Sequence, residues 1–355
     1  MKNKISPLPL AARHVSQREI AKHAGVSTST VSRVLNNVDG ISDELRGHVL
    51  KVAMELGYHN AAASGELRQL HLFTTSFAAM TASHTFHPSI LDGVATACRQ
   101  KGILLSYSVI EQSAADRTAV LSQVRDRPET GILLMSIDDR VLIEELLALK
   151  VPIALINADH RDLPIDTFLP DNFISGLLAT RHLVELGHRH ILHMTELANK
   201  QRSTLQRRLN GYSAALEEAS IPYDPALVLE SPLRVDDAHQ AMRVWLATHR
   251  LPFSAVFCAN DASAIGVMRA LQEVGKRVPE DVSVIGYDDV PAAALLTPSL
   301  TTFHIDCEEI GQLAVQRMLY RALKPGATPI RVEIASRLVV RQSVAAYHGD
   351  AGRSC

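Results

Sequence analysis

The chain has 355 residues, 46% of them hydrophobic, and a formal net charge of −2 at pH 7. That length exceeds one compact core and allows a small head followed by two lobes. The balanced charge indicates no partner by itself, and no run of apolar residues is long enough to predict a membrane span. The four cysteines are far apart, without CxxC or zinc spacing, which suits free thiols in a reducing cytoplasm.

Residues 1–15 predict a flexible leader rather than a targeting sequence. Their apolar run is short and broken by prolines, which makes a poor signal peptide. We therefore expect a cytoplasmic protein without a membrane partner.

Residues 16–60 predict three short helices with a turn between the first two. Ser16 and Glu19 have the spacing of a capping box, in which each side chain accepts the backbone N–H of the other residue. Gly25 lies at the turn, where a residue without Cβ adopts a positive φ freely. This is the arrangement of a helix-turn-helix, which inserts its second helix into the DNA major groove. The apolar face expected beneath the first two helices comprises Ile20, Ala21, Ala24, Val31, Val34 and Leu35.

The second predicted helix, 28–36, carries the polar side chains expected to contact DNA: Thr28, Ser29, Ser32, Arg33 and Asn36. Thr28 and Ser29 lie at the helix start, where short polar side chains meet base edges. Arg33 suits a bidentate contact to guanine or a phosphate contact. Periodicity alone also fits a three-helix bundle with a solvated polar face. Residues 1–60 carry eight Lys and Arg against five Asp and Glu, so we expect two heads to act together.

From residue 70 the sequence alternates short apolar runs with helical stretches. The predicted strands are 70–75, 103–109, 131–136, 152–157, 190–194, 227–229, 255–258 and 282–287. The predicted helices are 88–101, 116–127, 139–150, 174–186, 209–219, 238–249 and 262–274. Alternating strands and helices indicate parallel sheets, and two successive sets indicate two doubly wound α/β lobes. Ligands of such sheets bind beyond the carboxyl ends of the strands, so the expected site is a cleft between the lobes.

Several strings of the sequence resemble the lactose-repressor (LacI) family. In the head these are EIAKHAGVSTSTVSRVLNN, IS and VAMELGY; in the core they are GHRHI (187–191), RLNGY (208–212), AVFCANDASAIGVM (255–268), VPEDVSVIGYDD (278–289) and PSLTT (298–302). The resemblance covers about residues 16–340. It implies a helix-turn-helix head followed by an α/β core like that of periplasmic sugar-binding proteins.

The resemblance also implies the domain organisation. The expected units are a leader (1–15), a head (16–60), a hinge (61–69), a core (70–343) and a tail (344–355). Within the core we expect an N-lobe of about 70–172 plus 304–335 and a C-lobe of about 173–303 plus 336–343.

In the LacI family the two residues after AGVS read bases, so the resemblance gives Thr28 and Ser29 that role. Arg33 matches another base-reading position, and Ser32 and Asn36 match positions that contact the DNA backbone. The interface implied is with a pseudo-palindromic, double-stranded DNA operator.

The hinge is where the sequence departs from the family. Leu67 falls on the position that wedges into the minor groove. Asn60 replaces the usual proline, however, and Gly65 lies inside the expected hinge helix. Because a mid-helix glycine costs about 1 kcal/mol, we expect a hinge that folds only on the operator.

The resemblance further implies an effector site in the cleft, with candidate residues Phe86, His87, Asp171, Arg202, Thr204, Arg208, Asn260 and Asp288. Arg208 opens RLNGY, at a position whose guanidinium clamps ligand oxygens. Asp288 of GYDD accepts from two ligand hydroxyl or N–H groups. Asn260 follows a strand at the same opening, and Asp171 lies at the crossover between the lobes. The other four match contacts or ligand walls of some members.

Each of these residues also has a purely structural interpretation. Asp288 could end a strand, and Arg208 could be a surface charge at a helix start. Arg202 could belong to a solvated basic loop, and His87 could be an idle loop histidine.

Carboxylate, amide and guanidinium groups together suit a polyol, so the expected effector is a sugar or sugar derivative. A purine-like or acidic metabolite is the alternative. Effector and operator affinities are then coupled through lobe closure. The sequence leaves the sign open, and release is the commoner family behaviour, so we expect a repressor that its effector releases. The tail lacks a leucine heptad, which indicates a homodimer rather than a tetramer.

An enzyme and a secreted solute-binding protein are the competing classes. The chain lacks the motifs GxxxxGKS/T, GxGxxG, HExxH and GxSxG, so we expect no catalysis, cofactor or metal. A secreted binding protein would need a signal peptide and no head.

Overall fold

The computed structural model describes residues 16–35, 40–56, 67–75, 86–110, 113–125, 130–196, 203–249 and 253–347. In the head, α1 spans Gln17–Ala24, α2 spans Thr28–Leu35 and α3 spans Asp43–Glu55. The capping box of Ser16 and Glu19 is present, and Gly25 ends α1 with a φ of 65°. The apolar residues predicted beneath the helices form one buried cluster. The predicted three-helix head is therefore confirmed.

The N-lobe is built on a six-stranded parallel sheet. Its strands, numbered in chain order, are β1 (Gln69–Thr75), β2 (Leu104–Ile110), β3 (Thr130–Met135), β4 (Ile153–Ile156), β5 (Asp166–Pro170) and β11 (Arg331–Ile334). Their order across the sheet is β2-β1-β3-β4-β5-β11. Its helices are α4 (Phe86–Lys101), α5 (Ala114–Arg125), α6 (Arg140–Ala148) and α12 (Cys307–Leu323).

The C-lobe repeats this plan on four parallel strands. They are β6 (Ile191–Thr195), β7 (Val228–Glu230), β8 (Ala255–Cys258) and β9 (Ser283–Ile285), in the order β7-β6-β8-β9. Its helices are α7 (Asn172–Glu185), α8 (Ser203–Glu218), α9 (Val235–Thr248), α10 (Asp261–Glu273) and α11 (Pro291–Leu295). In both lobes the second strand lies outside the first, so the strand order reverses beside β1 and β6. Ligands of doubly wound sheets bind at such reversals.

The chain passes between the lobes three times. The first crossing leads from β5 into α7, and the other two run as an antiparallel pair, β10 (Thr302–His304) and β12 (Arg337–Val339). After β12 the chain returns to the C-lobe, where Tyr347 donates a backbone hydrogen bond of 2.7 Å to Leu186. The contacts of the C-lobe therefore continue to residue 347, past the predicted tail boundary at 344.

Three helix pairs cross at glycines, one in the N-lobe and two in the C-lobe. A Cβ on any of five glycines would collide with a backbone carbonyl of the partner helix: Gly93 with Glu308, Gly311 with Ile90, Gly176 with Arg208, Gly211 with Phe173, and Gly266 with Val235. The close approach of α7 to α8 fixes the backbone of Arg208 against the start of the C-lobe.

Leu67 does not lie on a free hinge in this structure. Its side chain is 8% exposed and belongs to the core cluster of the N-lobe. The backbone of Arg68 already accepts the N–H of Leu104, so the sheet edge begins before the predicted boundary at 69. A side chain that wedges into the minor groove must be free of the core, so Leu67 would have to leave this cluster to act as the predicted wedge. Residues 57–66, which hold Asn60 and Gly65, lie outside the described residues.

Each strand and helix predicted for the core is present. Their ends differ from the prediction by at most three residues, except that α8 begins at Ser203 rather than at 209. Strand β5 was missed because its first residue is the charged Asp166, which is fully buried between Arg317 and Arg321. None of the described helices has the length and apolar character needed to cross a membrane.

Candidate functional sites

Helix α2 presents a polar face at its start. Thr28, Ser29 and Arg33 are exposed and Ser32 is partly exposed. The opposite face is buried through Val31, Val34 and Leu35. The helix can therefore lie against another molecule without disturbing the core of the head.

Ser27 fixes the start of this helix. Its hydroxyl oxygen accepts the backbone N–H of Thr30 at 3.0 Å, as an N-cap does. The same oxygen lies 2.7 Å from the hydroxyl of Ser29, which orients that side chain at the exposed end. Asn36, the remaining predicted contact, lies outside the described residues.

Arg208 is the centre of the candidate effector site. It lies in the second turn of α8 and is 5% exposed, so the surface interpretation is wrong. Its Nε donates to the side-chain oxygen of Asn172 at 2.8 Å, and its Nη1 donates to the carbonyl of Ala259. The guanidinium carbon lies 3.9 Å from the centre of the Tyr287 ring, a cation–π contact. Nη2 has no hydrogen bond to the described residues, which leaves two N–H donors for a ligand.

These contacts bring three predicted residues together. Ala259 precedes Asn260, and Tyr287 precedes Asp288, so Arg208 touches the immediate neighbours of both. The hydroxyl of Tyr287 lies 3.3 Å from Ser175 and 3.2 Å from Ser336, which belong to two different crossings between the lobes. Tyr287 therefore connects the candidate ligand site to two of the segments that join the lobes.

Asp288 is held in an unfavourable backbone conformation. Its φ is 115° and that of Asp289 is 53°, values that residues with a Cβ rarely adopt. Two contacts secure Asp289: Arg341 at 2.6 Å and His304 at 3.0 Å. Burial raises the pKa of the Asp288 carboxyl well above its ordinary value, although the Arg208 cation opposes the shift. Hydroxyl or N–H groups of a ligand would stabilise the ionised form.

Asn260 and Asp171 cap helices. Asn260 accepts the N–H of Ser263 at 2.9 Å and donates to the carbonyl of Leu233 at 3.0 Å. Asp171 accepts the N–H of Ile174 at 3.1 Å at the start of α7. One oxygen of Asp171 and one amide hydrogen of Asn260 are not used in these bonds, so capping and ligand contact are compatible.

A polar chain lies at the carboxyl edge of the N-lobe sheet. Ser136 and Asn157 directly follow β3 and β4, each with a φ of 55°. The amide of Asn157 donates to the Ser136 hydroxyl at 2.8 Å, and that hydroxyl lies 2.7 Å from Nε2 of His87. His87 therefore has a defined partner. The side-chain oxygen of Asn157 is buried without a hydrogen bond to the described residues.

Sequence analysis missed Asn172, Tyr287, Ser136 and Asn157. Ser136 and Asn157 lie at the ends of predicted strands, so the sequence could have placed them at the carboxyl edge of the sheet. Of the other predicted residues, Thr204 is 6% exposed on α8, Phe86 begins α4, and Arg202 lies outside the described residues.

Comparison with known proteins gives similarity over nearly the whole chain. Residues 17–60 match the profile described as bacterial regulatory proteins, lacI family, and residues 180–344 match a periplasmic binding protein-like domain. The ribose operon repressor of Haemophilus influenzae is 31% identical over 329 residues, covering 93% of this chain and 98% of that protein. The transcriptional repressor PurR of Escherichia coli is 32% identical over 338 residues, covering 92% and 96%.

Two solved structures are similar over comparable lengths. The complex of the transcriptional regulator CelR with cellobiose is 28% identical, covers 93% of this chain and 100% of its own, and has a TM-score of 0.72. The lac repressor dimer bound to operator and the anti-inducer ONPF is 26% identical, covers 94% and 100%, and has a TM-score of 0.70.

Proposed function

The chain belongs to the lacI family of bacterial regulatory proteins and is a ligand-responsive, DNA-binding repressor; within that function, we propose that a sugar or sugar derivative bound between the lobes releases the operator. The observation that carries this proposal is the buried Arg208, which is clamped by protein groups yet keeps one N–H pair open beside Asp288.

We assign operator recognition to α2. Thr28, Ser29 and Arg33 read base edges, because they are exposed at the start of a helix whose other face is buried. Ser32 and Asn36 contact phosphates. Two heads in a homodimer bind two half-sites, as the dimeric structure of the lac repressor relative on its operator suggests. We propose further that the protein acts in the cytoplasm as a regulator without a catalytic role.

We assign effector binding to the C-lobe group of Arg208, Asn260 and Asp288. A carboxylate, an amide and an open guanidinium N–H pair match the hydroxyl and ring oxygens of a sugar. Asp171, His87 and Thr204 complete the set, together with Phe86 and Arg202. The relatives support the sugar class, since one is a ribose operon repressor and another was solved with cellobiose.

A purine-like corepressor is the second candidate, because the PurR relative has 32% identity to this chain. A purine would need an aromatic face on which to stack. Arg208 already covers one face of the Tyr287 ring, at 3.9 Å. The sugar is therefore favoured.

The test begins with a duplex that the full-length protein selects from a random-sequence pool. Its affinity is measured alone and with ribose, cellobiose or purine bases. We expect one of the sugars to weaken operator binding. If a purine base instead tightens operator binding, the effector is the purine-like corepressor and not a sugar. If the protein selects no duplex, α2 does not read DNA.

Two variant pairs locate the sites. Arg33→Ala should lower operator affinity and relax base preference, whereas Lys51→Ala, which removes an exposed cation from α3, should do neither. Arg208→Ala or Asp288→Asn should abolish release by the sugar while operator binding persists. A full response by both effector-site variants would refute the assigned site.

A further inference from the structure

Arg207, the residue before Arg208, joins the two lobes. It lies on α8 of the C-lobe, but its Nη1 is 3.5 Å from Asp159 and its Nη2 is 3.2 Å from Glu333. Asp159 lies in the loop after β4 and Glu333 lies on β11, both in the N-lobe. Consecutive residues of one helix thus have different tasks: Arg208 bonds within the candidate effector site, and Arg207 spans the cleft.

The interlobe contact is partly shielded from water. The side chain of Arg207 is 19% exposed, that of Glu333 is 22% exposed and that of Asp159 is 3% exposed. Ion pairs in such positions are screened less by solvent and salt than pairs on an open surface. The contact therefore biases the relative position of the lobes.

The N-lobe carboxylates keep other partners when Arg207 leaves. Arg161 lies 3.4 Å from Asp159 and 3.3 Å from Glu333, and Arg331 pairs with Asp159 as well. Two arginines and two carboxylates of the N-lobe thus balance each other. Breaking the interlobe pairs leaves no isolated buried charge, which is the condition that makes a buried pair costly to break. The contact is consequently reversible.

We propose that Arg207 is an interlobe latch, whose ion pairs to Asp159 and Glu333 stabilise one lobe arrangement and so set the balance between operator-binding and effector-binding states. The inference rests on the proposed function, because that function requires two lobe arrangements with different operator affinity. A ligand at Arg208 acts on the adjacent backbone of α8. It favours the lobe arrangement in which the ion pairs of Arg207 to Asp159 and Glu333 are broken.

The test compares two arginines that contact the same two carboxylates. Arg207→Gln removes the cation that comes from the C-lobe. Arg161→Gln removes the cation that comes from the N-lobe itself, with similar distances to Asp159 and Glu333. The charge change is identical, and only Arg207→Gln removes ion pairs between the lobes.

Amide hydrogen exchange of the DNA-free, full-length protein measures directly how stable the backbone is on both sides of the interlobe contact. We expect faster exchange in β11 and in the first turns of α8 for Arg207→Gln, and no faster exchange than in the parent for Arg161→Gln, because that variant keeps both interlobe pairs. Effector-free affinity for the selected duplex should change by about fivefold or more in Arg207→Gln, and Arg161→Gln should not change it in the same direction. Adding Glu333→Gln to Arg207→Gln should change that affinity less than the two single effects combined.

Equal behaviour of Arg207→Gln and Arg161→Gln in both assays would overturn the latch. If Arg207→Gln fails to fold by circular dichroism, Glu333→Gln replaces it, since it removes one of the two interlobe pairs and should produce a smaller change of the same kind. Unchanged amide exchange and duplex affinity in Glu333→Gln would then overturn the latch as well. Neither assay contains a sugar. The latch can therefore be tested even if the proposed sugar is not the effector.

Discussion

The guanidinium of Arg208 donates a 2.8 Å hydrogen bond to the side-chain oxygen of Asn172, the first residue of α7. Asn172 is fully buried, and its amide donates to the carbonyl of Pro170 at 2.9 Å, which fixes its orientation. The candidate ligand-binding cation is therefore held by the segment with which the chain enters the C-lobe. The position of Arg208 and the geometry of this crossing are mechanically linked.

Asn172→Ala should weaken effector binding by about tenfold, because a hydrogen bond to a charged group contributes about 1.5 kcal/mol. Isothermal titration with the releasing sugar measures the change. Asn210→Ala is the control, since Asn210 is exposed on α8, the helix that carries Arg208, and its side chain accepts a hydrogen bond from Gln206. Unchanged sugar affinity in Asn172→Ala would mean that Arg208 does not need this support.

Gly176→Ala should lower the free energy of unfolding by about 1–3 kcal/mol, because its Cβ would collide with the backbone carbonyl of Arg208. The displaced α8 should also weaken the effector response. Urea unfolding and sugar titration measure the two effects. At Gly326 a Cβ meets no atom within 4 Å, so Gly326→Ala should alter neither quantity. An unaffected Gly176→Ala protein would show that the two helices can separate without cost.

Effector affinity should fall as the pH is lowered, and the fall should begin above the usual titration range of aspartate. Burial raises the pKa of Asp288, so the carboxyl takes up a proton at a higher pH than an exposed aspartate does. Sugar hydroxyls donate to the ionised carboxylate, and the protonated form loses that interaction. Sugar titrations across the acidic range measure the effect. Asp288→Asn should bind weakly with a flat profile, and a profile identical to that of the parent would assign the titration to another group.

Asp166→Asn should lower the free energy of unfolding by about 3–5 kcal/mol, because it leaves two arginines beside a buried neutral group. The carboxylate is fully buried, with Arg317 at 3.0 Å and Arg321 at 2.7 Å. Urea unfolding measures the change. Glu144→Gln, which breaks the exposed pair with Arg140, should cost far less, because solvent screens that pair. If both variants lose the same free energy of unfolding, the buried cluster of Asp166, Arg317 and Arg321 does not stabilise the fold.

The sequence predicted the head more completely than the core. The capping box at Ser16, the glycine turn at Gly25 and the apolar stripes are set by neighbours within four residues, and all were found as expected. In the core, the predicted strands and helices are present, but none of the elements after residue 287 was predicted and β5 was missed. Its leading Asp166 looks like a loop residue until Arg317 and Arg321, some 150 positions later, are brought beside it.

The sequence alone determined the helices of the head and most helices and strands of the core up to residue 287, because capping and apolar periodicity act over a few residues. It also indicated Arg208 and Asp288 through strings resembling a known family. Only the tertiary structure decided that Leu67 packs in the core and that Arg207 and Arg208 contact different lobes. Those outcomes depend on partners such as Asn172 and Glu333, which are distant along the chain and meet these side chains only when the lobes are assembled.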